Sequence, residues 1–125
     1  MIIGTGVDLA EVRRIKASIE RYGEKFIARI FTTLEIAYVE RKANRFERYA
    51  ARFAAKEAGM KALGTGWRRG VRWQDFEVVN LASGRPTLQL HGVALIIAGQ
   101  MGVTSISLSL THTAELAMAH VIFEK

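Results

Sequence analysis

The chain contains no cysteine among its 125 residues. That excludes a disulfide framework and any cysteine-ligated zinc or iron–sulfur site, and leaves no sign of an oxidising compartment. It also lacks an apolar run long enough to cross a bilayer, and its start, MIIGTGVDLAEVRR, has no basic region ahead of a long apolar stretch. A cytoplasmic protein with no membrane contact is expected. Histidine is scarce: His91, His112 and His120 stand far apart and none is spaced as a helical pair, which argues against a histidine metal cluster. No Ser-His-Asp arrangement or nucleophile elbow is visible. Acidic residues are short as well, 12 against 18 lysines and arginines, for a formal charge of +6. Such a surface attracts polyanions, whether nucleic acid, phosphorylated metabolite, anionic lipid or acidic protein, and charge alone does not choose among them.

What remains is the balance of one folded domain spanning residues 1–125, with no repeat and no low-complexity segment. Ile2 to Asp8 predicts a strand with Ile3, Val7 and Leu9 on one face and Gly4, Gly6 and Asp8 on the other, a glycine face that suits close approach of a backbone or ligand. A helix is expected from about Leu9 to Tyr22, stopped at Gly23, with Val12, Ile15 and Ile19 inward and Arg13, Arg14, Lys16 and Arg21 outward. Thr32 and Glu35 form a capping-box pattern that opens a short helix. One long helix follows from about Ala43 to Leu63, closed by Gly64-Thr65-Gly66. Beyond it the period turns to alternation. Strands are expected at 73–80 and 86–90, then a small-residue helix at 93–101, then strands at 105–111 and 116–123. The segregation of these elements points to an α+β fold with antiparallel pairing.

Within the long helix, ARFAAKEAGMKALGTG, Glu57 shares a stripe with Phe46, Ala50, Phe53 and Lys61, where a core residue is expected. A carboxylate there is either paired with Lys61 one turn on, or held for a cation or for chemistry. Asp8 with Glu11 reads as an acidic capping box, though a cap carboxylate still has a second oxygen to offer. Gly64 to Gly66 is a helix stop or, beside Lys56 and Lys61, an anion site. Arg41, Arg45, Arg48, Arg52 and Lys56 form a solvated basic face unless something folds over them. His112, flanked by Thr111 and Thr113, reads alone as a turn residue.

Together, GTGVDLAEVRRI, FIARIFTTLE, ARFAAKEAGMKALGTG, WQDFEVV, GRP and SLSLTHTAELAMAHV resemble the holo-acyl-carrier-protein synthase family of 4′-phosphopantetheinyl transferases along nearly the whole chain. The resemblance implies that family's fold, an antiparallel sheet with one long helix and several shorter ones. It implies transfer of the phosphopantetheine arm of coenzyme A to a serine of apo acyl carrier protein, releasing adenosine 3′,5′-bisphosphate, as a step serving fatty acid biosynthesis. It further implies magnesium held by Asp8 and Glu57, with Lys61 offsetting charge on the leaving phosphate; the acceptor of the serine proton stays open between water and Glu57. Coenzyme A would be received by Arg52, Lys61, Gly64, Thr65, Gly66, Gly84, Arg85, Pro86, His112 and Thr113, and the carrier protein would dock on Arg14 and Arg21. A homotrimer with active sites between subunits is implied, and strands 105–111 and 116–123, small or apolar on both faces, suit such burial. The alternative is a monomer whose helices cover both faces. Two rival functions are a small nucleic-acid-binding module, weakened by the lack of an aromatic-rich RNA-binding strand motif, and a non-catalytic adaptor for an acidic partner.

Overall fold

Alternate glycines in the first strand determine how closely the long helix lies on the sheet. The computed structural model describes all residues, Met1–Lys125. In chain order they form β1 (Ile2–Glu11), α1 (Val12–Tyr22), α2 (Glu24–Ile30), α3 (Thr33–Glu40), α4 (Arg45–Leu63), a 3₁₀ turn (Trp73–Asp75), β2 (Phe76–Asn80), β3 (Pro86–Leu90), α5 (Gly92–Met101), β4 (Ser105–His112) and β5 (Leu116–Glu124). The sheets are antiparallel: a three-stranded one in the order β1-β5-β4 and a β2-β3 hairpin. No helix is long and apolar enough to cross a membrane.

Helix α4 packs across β1 and β5 and is buried on most of its circumference, including Ala51, Ala54, Ala55, Ala58 and Ala62. A Cβ at Gly4 or Gly6 would collide with the carbonyl oxygens of Ala62 and Ala58 respectively, so only glycine lets the helix backbone rest on this strand. Gly59 serves the hairpin in the same way, since a Cβ there would come within 2.8 Å of the Phe76 ring. Gly64, at φ 82°, ends the helix in the left-handed conformation.

The pairing partner decides where β1 stops. Leu9, Ala10 and Glu11 pair with Met118, Ala117 and Leu116, so the strand runs three residues past its expected end at Asp8. The capping residue is therefore Glu11, with no side-chain cap bond, and Asp8 lies inside the strand opposite Ala119. The expected Asp8 capping box does not form. Helix α2, to which the sequence assigned no element, uses Ile27 and Ile30 as its buried positions. The expected box of Thr32 and Glu35 forms in full.

Lys56, expected on a solvated basic face, is instead fully buried. Its Nζ donates to Glu35 Oε1 at 2.7 Å and to the Phe76 carbonyl at 2.7 Å. Glu35 also accepts from the backbone N–H groups of Thr32 and Val78, both at 2.9 Å. Burial depresses the Lys56 ammonium, and the Glu35 carboxylate works against that shift. This closed polar knot ties α3, α4 and β2 together; it has no free donor for a ligand.

Candidate active site

Two acids meet where β1 passes α4. Asp8 projects from the strand face carrying Gly4 and Gly6, and the close approach those glycines permit brings it beside Glu57. The Glu57 stripe is a core line only at Ala50, which is buried: Phe46, Phe53 and Glu57 are half-buried and Lys61 is exposed, along the margin of a helix otherwise enclosed. Lys61 Nζ donates to Asp8 Oδ1 at 3.0 Å and to the Val7 carbonyl at 3.0 Å, so its close partner is Asp8 and not Glu57. Burial raises the Glu57 carboxyl, and the neighbouring Asp8 raises it further. The acids open into a cavity of about 300 Å³ whose wall includes Arg14, Ser18, Phe26 and Phe53. Two hard oxygen donors pressed together with a single ammonium beside them suit a magnesium ion, which takes few protein ligands and keeps its other positions for water and phosphate.

A second cavity, of about 200 Å³, lies on the other flank of α4. Arg48 and Arg52 line it from the helix, Asn80, Gly84 and Pro86 from the hairpin, and His112 from the end of β4. Arg52 is buried, its guanidinium 4.5 Å from the centroid of the Tyr38 ring, and Nη2 donates to Asn80 Oδ1 at 3.3 Å. Its Nε has no partner. Burial lowers the Arg52 group, and the guanidinium keeps its charge. His112 Nδ1 lies 2.9 Å from Glu47 Oε1. Two arginines and an imidazole lining one cavity are the makings of an anion site.

The sequence-predicted residues thus separate into two groups. Asp8, Glu57 and Lys61 gather on one flank with Arg14 at the rim; Arg52, Gly84, Pro86 and His112 gather on the other. Glu57 follows Arg52 by five residues, about 140° around the helix, so one chain does not direct both groups into one cleft. The N–H groups of Gly64, Thr65 and Gly66 all turn back to the Met60 carbonyl, at 3.0, 3.2 and 3.4 Å, and are not free to cradle an anion. Arg85 is exposed in the hairpin turn, and the Thr113 hydroxyl is engaged in its own bend, accepting from Glu115 and Leu116. Arg21 is exposed and lies over the Tyr22 ring. Tyr38, Glu47 and Asn80 were missed. Arg48 stood only in the basic stripe, and its one-turn spacing from Arg52 was the available signal.

The family model described as the 4′-phosphopantetheinyl transferase superfamily matches residues 4–119. A holo-(acyl-carrier-protein) synthase of Solibacter usitatus (strain Ellin6076) is 76% identical over 124 residues, covering 99% of each chain. Among solved structures, the holo-(acyl-carrier-protein) synthase of Neisseria meningitidis superposes with a TM-score of 0.90 at 33% identity, covering 100% of both chains. That of Bacillus anthracis str. Ames, in complex with CoA (3′,5′-ADP), gives 0.80 at 34% identity, covering 98% of this chain and 96% of that one. With the family model spanning nearly the whole chain and these relatives matching end to end, the protein belongs to the 4′-phosphopantetheinyl transferase superfamily, in its holo-(acyl-carrier-protein) synthase family.

Proposed function

We propose that the protein transfers the 4′-phosphopantetheine group of coenzyme A to a serine of apo acyl carrier protein, giving the holo carrier and adenosine 3′,5′-bisphosphate. The observation that carries this reading is the adjacent, half-buried acid pair Asp8 and Glu57 with Lys61 beside it. The serine oxygen bonds to the phosphorus next to pantetheine, the bond from that phosphorus to the bridging oxygen breaks with adenosine 3′,5′-bisphosphate as the leaving group, and the serine proton passes to water or to Glu57. Such a displacement asks the protein mainly for positioning and charge neutralisation. Asp8 and Glu57 would hold magnesium, which when bound neutralises the pyrophosphate. Lys61 would offset negative charge gathering on the leaving phosphate. Arg48, Arg52 and His112 would receive the phosphates of the adenosine portion, with Gly84 and Pro86 shaping the wall. Gly64, Thr65 and Gly66 would contribute the shape of the α4 end, and Arg85 and Thr113 the exposed margin.

Arg14 and Arg21 point outward from α1, and Arg14 reaches the acid cavity. A carrier protein, acidic on its surface, would dock there. We further propose a homotrimer in the cytoplasm in which the acid cavity of one subunit faces the cationic pocket of the next. The division of the site between the two flanks of α4 supports this. So does the uncovered outer face of the three-stranded sheet, where Val7, Leu9, Leu116 and Met118 remain 52%, 62%, 45% and 39% exposed. No helix of the chain covers them, which supports burial against another subunit. Incubating apo acyl carrier protein with coenzyme A, magnesium and the protein should add the mass of phosphopantetheine to its serine. An unchanged carrier mass would exclude the activity.

A further inference from the structure

Glu47 occupies the first turn of α4, where an acid is favoured by the helix dipole alone. Its side chain does more than lie there. Glu47 and His112 are sixty-five residues apart in sequence, yet Oε1 and Nδ1 meet at 2.9 Å and both side chains are three-quarters buried, at 26% exposure each. The imidazole forms part of the cationic pocket, and Nε2 has no partner within the chain. The other charged or titratable groups facing that pocket are Arg48 and Arg52 from α4 and Tyr38 from α3; the hairpin presents Asn80, Gly84 and Pro86, and β4 adds Leu110.

We propose that Glu47 is a positioning residue for His112, its carboxylate fixing the proton on Nδ1 and turning Nε2 into the pocket. A carboxylate only accepts, so a 2.9 Å contact requires the hydrogen on Nδ1. The free imidazole prefers the Nε2–H tautomer, in which Nδ1 would face the Glu47 carboxylate with a lone pair and could not donate to it. With Nδ1 committed, Nε2 alone meets the ligand. Once protonated, it donates to an anion while Glu47 neutralises the rear of the ring, the arrangement by which a carboxylate orients a working histidine. This inference rests on the reading of the pocket as the coenzyme A phosphate site, but its first test does not.

That test is the nitrogen NMR signature of His112 in the free protein. Wild type and Glu47→Gln, which keeps the acceptor oxygen, should show the Nδ1–H tautomer; Glu47→Ala should move the population to Nε2–H. An unchanged tautomer in Glu47→Ala would overturn the proposal. The second test is kinetic, and Glu47→Ala should raise the KM for coenzyme A by about tenfold, with kcat little changed, as loss of one well-aligned hydrogen bond predicts. In a His112→Ala background the same change should add nothing, whereas a helix-dipole role would persist there. A full additive effect would overturn the positioning role. A tautomer shift without a KM change leaves the Glu47–His112 relation standing and refutes the pocket's assignment to coenzyme A.

Discussion

The carboxyl of Glu57 is held above the ordinary carboxylate range first by burial and then by Asp8, so the free protein binds a proton there more tightly than the unfolded chain does. The stability this supplies is complete below the unfolded value of about 4.3 and is lost as pH rises through the folded value. Two carboxylates brought this close are a cost when both are ionised, which a divalent cation would relieve. Glu57→Gln keeps the shape and removes one charge. It should abolish turnover, raise the melting temperature without metal near neutral pH, flatten the pH dependence of stability just above about pH 4.3, and remove stabilisation by magnesium. A Gln variant with full activity and an unaltered magnesium response would contradict the assignment of this residue. The oddity of Glu57 was legible because a charge stood on an apolar stripe, though the stripe proved to be the half-open margin of the helix. Asp8 was misjudged by local pattern: D-x-x-E reads as a cap until β5, a hundred residues later, claims Leu9 to Glu11 as strand. Lys56 was equally invisible, because the carboxylate that neutralises it lies on another helix.

At the scale of elements, the contact of β1 with α4 is what makes the acid pair. Alanine in place of glycine normally favours an extended strand by reducing the freedom of the unfolded chain. At Gly6 the sign should reverse, because the added Cβ meets the Ala58 carbonyl and the helix must move. Gly6→Ala should destabilise the protein by about 2 kcal/mol or more in urea titration, in line with overpacked cores, and weaken magnesium stabilisation as Asp8 and Glu57 separate. Unchanged stability would show that this approach is not what holds the acids together. The glycine face of β1 was readable as a site of close approach, though not that a helix backbone was the visitor. The α4 stop at Gly64 and the cap at Thr32 were readable too, since both are local chemistry. Helix α2 was passed over because seven residues carry too short a period to declare themselves.

The whole molecule leaves one sheet face bare and divides its candidate chemistry between two flanks of one helix. From the sequence both faces of β4 were candidates for burial; in the structure Leu108 turns inward and is buried, while Ser105 and Ser109 are exposed. The division of the site was not legible, because it depends on which strand lies on which side of α4. A cyclic trimer would cover Leu9 and Met118 and set an acid cavity against a neighbour's cationic pocket, a heterologous contact that closes on itself. The direct measurement is subunit complementation. Glu57→Gln trimers and Arg48→Ala/His112→Ala trimers, each shown by light scattering to keep the trimeric mass, should both be nearly inactive alone at limiting coenzyme A. Co-refolded in equal amounts they should regain about one quarter of wild-type activity, the fraction of interfaces at which random mixing joins two intact halves. A monomeric mass with full wild-type activity, or mixed trimers no more active than their parents, would contradict the shared site.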